Sequence, residues 1–420
     1  MKKRKKSANK ELKPTAWIDY PLLFLILALL AYGLIMVQSA GALQGVKDAN
    51  DAYFYLIQQL KWAGLGAVVA GVIVFMPYHI WRRFAGVIAW LGMMVSIGLL
   101  LAVRFSGASV SGGGAVRWLS IAGVTIQPSE IAKLCAVFFL AYLFARYPLQ
   151  STKGWGISRS LIYFKQKLSK LGPGGVLLRT IGGLFPGALV VLVLGLIYKQ
   201  PDLGTMLVVG ATCGAMLWQT GLATRWFLIV GAPVVSFLAY KVRFSEYQWD
   251  RIKVWLNPWL YEKNEGYQIT NAQVAFANGG WFGQGLGASA QKNWILPANH
   301  TDYIFVIVGE ELGLLGCLLM IGLFVALFMR AYQLARRCPD RFSRLLFFGI
   351  TTALAVQTVV NLAVVTGVLP TTGITLPFVS YGGSSLLITM IQAGILLSIS
   401  RYCVVKKTEQ DSAKNPPVAR

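Results

Sequence analysis

"LLFFGITTALAVQTVVNLAVVTGVLPTTGITLPFVSYGGSSLLITMIQAGILLSIS", Leu345 to Ser400, runs without one charged side chain. A bilayer core about 30 Å thick takes roughly 20 apolar residues to cross as a helix. The run is long enough for two crossings, and "PTTGITLPFVSYGGSS" in its middle has the Pro and Gly content of a connection. Two helices joined by an irregular segment, with lipid as the solvent, is the structure it specifies.

The rest of the chain follows the same pattern. Of 420 residues, 56% are hydrophobic and 13% charged, where a soluble domain carries about 25% charged residues. Uncharged runs at Tyr20 to Val46, Trp62 to Trp81, Phe84 to Val103, Thr180 to Tyr198 and Leu203 to Thr224 each predict a span. Two more, Gln127 to Ala145 and Tyr303 to Met329, carry charges, and Trp226 to Tyr240 is a shorter candidate. The expected fold class is therefore an all-α polytopic membrane protein with about ten transmembrane helices. The segment after "MKKRKK", with its small-residue "SAGA", has features of a secretory leader. Its apolar run is longer than the usual 7–15 residues, so it reads as the first span.

A net charge of +23 would suit nucleic acid, but its distribution points elsewhere. Basic residues gather in "MKKRKKSANK", Arg146 to Arg179, "RAYQLARRCPDRFSR" and "RYCVVKK". With ten spans these four fall on one side, which the positive-inside rule makes cytoplasmic. Both termini are then inside: a basic tail at residues 1–18, the membrane domain at 19–402, and a second tail at 403–420. A large exterior loop, 241–302, joins helices 7 and 8. The basic excess implies contact with membrane lipid and no nucleic-acid partner. None of the five cysteines lies in an exterior loop, so neither a disulfide framework nor a metal-ligand spacing is expected.

Ionisable groups at membrane depth are costly and mark candidate sites. Elimination among the 16 acids leaves Asp19 at the start of the first span, and Glu130, Asp202, Asp302, Glu310 and Glu311. Glu130 and Lys133 in "QPSEIAKL" share a helix face, and Arg117 in the Gly-rich segment before them is close enough to join their site. "YKQPDLGTM" sets Lys199 and Asp202 around a Pro, a pattern for a broken or re-entrant backbone. Glycines in "NGGWFGQGLGAS" suit backbone lying close to a ligand, and Thr301 or Asp302 could cap the helix that starts near Tyr303. Of the adjacent Glu310 and Glu311, one is expected to face the bundle.

Five blocks, "SGGGAVRWLSIAGVTIQPSEIAKL", "QPDLGT", "NEGYQITNAQVAFANGGWFGQGLG", "LPANHTDYIFVIVGEELGLLG" and "LPTTGITLPFVSYGGSS", resemble in order the signature blocks of the SEDS family, that of FtsW, RodA and SpoVE. The third and fifth look most like the FtsW branch. Thr372 and Ala298 stand where many of that branch carry Lys and Glu, and lean towards SpoVE. The resemblance implies a peptidoglycan glycosyltransferase of the bacterial cytoplasmic membrane that polymerises lipid II at its outer face, in septal synthesis during division. It implies a class B penicillin-binding transpeptidase and other divisome proteins as partners. The family's essential carboxylate matches Asp302, and its Arg and Lys match Arg117 and Lys133. Glu130, Lys199 and His300 complete the expected substrate contacts, with Asp202, Glu310 and Glu311 in support. Mg2+ or Mn2+ could accompany the substrate diphosphate, though no ligand set for it is visible. The elongation and sporulation branches, a lipid II flippase and a non-catalytic scaffold stay open as alternatives.

Overall fold

The computed structural model describes residues 17–105, 109–112, 115–121, 124–146, 187–221, 243–263, 266–289 and 301–403, with isolated positions between 224 and 241. Seven described helices are long and apolar enough to cross a membrane. They are α1 (Tyr20–Ala49), α2 (Phe54–Phe75), α3 (Tyr78–Phe105), α4 (Pro128–Arg146), α9 (Ile304–Arg337), α10 (Arg341–Val365) and α11 (Gly383–Cys403). Two shorter apolar helices, α5 (Gly187–Lys199) and α6 (Leu203–Gln219), join them. The candidate span Trp226 to Tyr240 falls mostly outside the described residues. In the large loop stand α7 (Glu246–Leu256), a 3-10 turn (Pro258–Tyr261) and α8 (Tyr267–Gly279).

Helix boundaries follow backbone chemistry more closely than charge. The run Trp62 to Trp81 predicted one span, but α2 begins earlier, carries Lys61 within it and stops before Pro77. Proline restricts the residue before it to extended backbone, and Met76 at ψ 124° is the C-cap. The Asp19 carboxylate caps α1 by accepting from Leu22 N at 3.0 Å, and it also pairs with Arg330 of α9. That buried pair fixes two spans to each other at the end which the charge distribution makes cytoplasmic.

The helices sort into a centre and a rim. Of the most apolar window of each, 67% of α4, 72% of α10 and 78% of α11 is buried, against 33% for α1 and 28% for both α2 and α3. The rim helices keep Leu65, Val68, Val72, Val87 and Leu91 exposed, as lipid-facing surfaces do. Small residues allow the closest approaches: a Cβ on Gly394 would meet the Ala70 backbone at 2.8 Å, so α11 lies against α2.

One element was not foreseen in the all-helical expectation. Residues 109–126 form a three-stranded antiparallel sheet in the order β1 (Ser109–Gly112), β2 (Ala115–Ile121), β3 (Val124–Ile126). Leu119 pairs with Ile126 and Ser120 with Thr125. Alternation along β2 turns Arg117 and Leu119 inward while Trp118 and Ser120 stay partly exposed. A second correction concerns cysteine. Cys338 and Cys403 form a disulfide with their Cα atoms 4.4 Å apart. The exterior-loop criterion missed it because the pair joins the ends of α9 and α11 that share the other side.

Candidate active site

At the end of the bundle opposite the Asp19–Arg330 pair, the start of α9, the 371–376 connection and strand β2 meet. Asp302 lies two residues before α9. Neither it nor Thr301 holds the N-cap position of that helix, which falls to Tyr303, whose own side chain makes no capping bond. The position of Asp302 is set instead by Asn361 of α10. The Asn361 amide donates one hydrogen to the Asp302 main-chain carbonyl at 2.9 Å and the other to Ile374 O at 2.7 Å. One buried amide thus ties the carboxylate's backbone to the connection between α10 and α11.

Gly373 sits beside the carboxylate at φ +69°, exposed, in backbone that L side chains rarely adopt. A Cβ there would stand 3.3 Å from Asp302 Oδ2 and 3.7 Å from Arg117 Nη1. Carboxylate and guanidinium therefore flank one side-chain-free position. Arg117 is anchored by Nε to Gln200 O at 3.3 Å and by Nη2 to Pro201 O. That turn is held in place by Asp202, which caps α6 through Thr205 N at 3.1 Å and accepts from Ser129 Oγ at 3.1 Å and Gln127 Nε2 at 3.3 Å.

Burial pushes the Asp302 carboxyl above its ordinary value, against a hydrogen bond from Thr301 and the charges of Arg117 and Arg251. Arg251, which the sequence reading did not single out, extends from α7 and donates from Nη1 to Thr371 O at 2.9 Å. One helical turn along, Trp255 Nε1 donates to Gly367 O at 2.8 Å. Both contacts dock α7 on the connection that carries Gly373.

Lys133 lies beneath that connection, one turn from Glu130 on α4. It is 2% exposed, with Nζ 2.8 Å from Glu130 Oε2 and bonded to Gln357 Oε1. Gln357 Nε2 reaches Thr375 O at 2.9 Å, Thr375 Oγ1 lies 2.8 Å from Ser385 Oγ, and Ser385 Oγ donates to Glu130 Oε2 at 3.5 Å. Glu130, Lys133, Gln357, Thr375 and Ser385 close a buried ring under the connection. Lys199 is exposed at the end of α5, just before the turn that Arg117 grips. His300 lies outside the described residues.

Glu310 and Glu311 are both fully buried, which corrects the expectation of one inward residue. The second face of α9 is covered because the 280–289 segment inserts against it. Glu311 accepts from Ser39 Oγ of α1 at 2.5 Å and Glu310 from Ser289 Oγ. The glycines of that segment approach α9 where a ligand was expected. At Gly313 (φ 66°, ψ −163°) the helix is broken. Gln284 N and Gly285 N donate to the Glu310 and Glu311 carbonyls, each at 2.9 Å; Leu314 N and Leu315 N donate to Gly280 O and Trp281 O at 2.9 and 3.2 Å. The chain is thus broken at Gly313 within α9 as well as at the 200–202 turn between α5 and α6, where the Pro pattern put it.

Gln357 and Asn361 were legible in principle: two amides one turn apart in an otherwise apolar span are as unexpected in lipid as an acid. Among the described residues no three His, Cys, Asp or Glu side chains gather as metal ligands. The donor set does not fit a protein-held cation.

Comparison with known proteins bears on this arrangement. A family model described as a cell cycle protein, that of FtsW, RodA and SpoVE, matches residues 20–404. A protein of Trichlorobacter lovleyi named probable peptidoglycan glycosyltransferase FtsW is 38% identical over 384 residues, which are 91% of this chain and 93% of that one. A protein of the same name from Geobacter metallireducens is 36% identical, with 93% and 96% covered. Neither follows the lean towards SpoVE. A solved chain from work on structural coordination of polymerization and crosslinking by a peptidoglycan synthase complex superposes with a TM-score of 0.70 at 29% identity, covering 91% of this chain and 98% of that one. The rod shape determining protein RodA of Thermus thermophilus gives 0.62 at 27% identity, covering 93% and 98%.

Proposed function

The chain belongs to the FtsW/RodA/SpoVE family, and from that premise we propose how it works as a peptidoglycan glycosyltransferase embedded in the membrane. The substrate is lipid II, a disaccharide on polyprenyl diphosphate, and the work is done at the outer face. The 4-hydroxyl of an acceptor sugar attacks the anomeric carbon of a donor. The new carbon–oxygen bond forms as the bond to diphosphate breaks, and the diphosphate leaves with the electron pair. Asp302 takes the hydroxyl proton; a positioned base contributes typically 10²–10⁴-fold. Diphosphate leaves without protonation by a second carboxylate, so one acid and nearby cations suffice. The observation that carries this reading is Asp302 beside Arg117 across the side-chain-free Gly373.

Arg117 steadies the developing negative charge. Glu130 and Lys133 act through Gln357 on the connection, and are positioning residues. Lys199 and His300 are further substrate contacts, reached from the exposed end of α5 and from the segment before Asp302. Mg2+ or Mn2+, where used, arrives on the diphosphate's own oxygens. The partner is a class B penicillin-binding transpeptidase, within a larger set of division proteins, and the place is the division septum; the FtsW names of the relatives and the likeness to a synthase complex support both.

The test is a reconstitution of the purified chain with its transpeptidase in liposomes carrying labelled lipid II in both leaflets. Glycan strands are expected. Transfer of lipid II between leaflets with no strand formed would replace the polymerase by a flippase.

A further inference from the structure

A departing diphosphate carries more negative charge than one arginine can offset, and Arg117 already spends two nitrogens on the Gln200 and Pro201 carbonyls. Lys133 is enclosed in its ring with Glu130 and Gln357. Arg251 of α7 lies outside the five blocks of family resemblance. Its guanidinium is half-buried and hydrogen-bonded to Thr371 O at 2.9 Å, two residues from the exposed Gly373.

We propose that Arg251 contacts the diphosphate of the donor lipid, so that the helix α7 of the exterior loop supplies the second cation of the site. The inference rests on the polymerase reading for its place in the reaction, though the contact itself is with a polyprenyl diphosphate. A guanidinium has five N–H donors in a planar fork that matches phosphate oxygens, so anchoring to Thr371 and gripping a phosphate are compatible. Gly373 leaves the approach open from the Asp302 side. Trp255, one turn along α7, sets the reach of the arginine by fixing the helix to Gly367. The loop is thereby part of the site, and displacing α7 would withdraw from it a cation whose charge also reaches Asp302.

The experiment measures binding of polyprenyl diphosphate and of polyprenyl monophosphate to the full chain in detergent, alongside the Michaelis constant for lipid II with the transpeptidase present. Arg251→Gln keeps a donor for the Thr371 carbonyl and removes the charge. Loss of a charge-assisted contact weakens binding by about 10- to 100-fold. The expected result is a loss of that size for the diphosphate, a smaller loss for the monophosphate, and a rise in the Michaelis constant to match. Arg251→Lys, which keeps the charge, falls between wild type and Arg251→Gln. Wild-type diphosphate binding in Arg251→Gln overturns the proposal, as does an equal loss for both lipids. Were wild type to form no glycan strands while Arg251→Gln still bound the diphosphate weakly, the polymerase reading would fall and the diphosphate contact would stand.

Discussion

In the role proposed for it, Asp302 combines two demands that oppose each other: it must be enclosed enough to act on a sugar hydroxyl, and it must be ionised to accept the proton. Burial raises its pKa, while Thr301, Arg117 and Arg251 hold it down. The base works unprotonated, so polymerisation should rise with pH through a value above the ordinary carboxylate range of about 3.9. Arg117→Gln removes a charge that favours the ionised form, so the rise should move to higher pH; a pH–rate profile of the two proteins measures it, and a shift to lower pH would refute the assignment. Asn361→Ala leaves two buried carbonyls without their donor, at a cost of about 1–3 kcal/mol each. Its turnover number should fall more than its Michaelis constant rises, because the base is displaced while the phosphate contacts persist. Elimination among acids left Asp302 as one of six candidates, and the family resemblance singled it out. Asn361 was passed over because a count of charges omits amides, and Arg251 is one of many basic residues until α7 docks it at Thr371.

Between residues and the whole, α9 is the element with the largest departure from expectation. Its break at Gly313 would leave main-chain groups unsatisfied in lipid, each costing several kcal/mol, were they not bonded to the 280–285 segment. The approach needs glycine on both sides: a Cβ on Gly283 would meet Glu311 O at 2.2 Å and one on Gly313 would meet Gly283 N at 2.3 Å. Gly313→Ala should therefore destabilise the detergent-solubilised chain by about 1–3 kcal/mol, read as a lowered thermal midpoint. The glycine-rich run did signal close backbone approach, but composition could not say whether a ligand or another helix would fill the gap. In α4, the i, i+3 spacing of Glu130 and Lys133 did give their contact. Lys133→Met leaves Glu130 buried with its cation gone, at about 3–5 kcal/mol. Adding Glu130→Gln should restore most of that stability; if the double variant is no better than the single, the ring is not what holds the pair.

For the whole molecule, hydropathy and charge gave the helical membrane class because the spans differ so sharply from their connections. The sheet before α4 escaped notice because its strands are short and lie in a sequence stretch punctuated by Gly and Ser, and the Cys338–Cys403 bond because only folding brings residues 65 positions apart together. The sidedness read from charge has its own test. A fluorescent protein fused after Arg420, of a kind that matures only in the cytoplasm, should fluoresce, and a periplasm-dependent phosphatase at the same point should be inactive; the reverse pattern would invert every exterior assignment. The central claim is that this membrane chain builds glycan strands with Asp302 as its base. Its most direct test is the initial rate of strand formation from lipid II, wild type against Asp302→Asn, each with the transpeptidase present. A loss of about 10²–10⁴-fold is expected in a variant that still binds polyprenyl diphosphate. A rate within a few-fold of wild type would contradict the account.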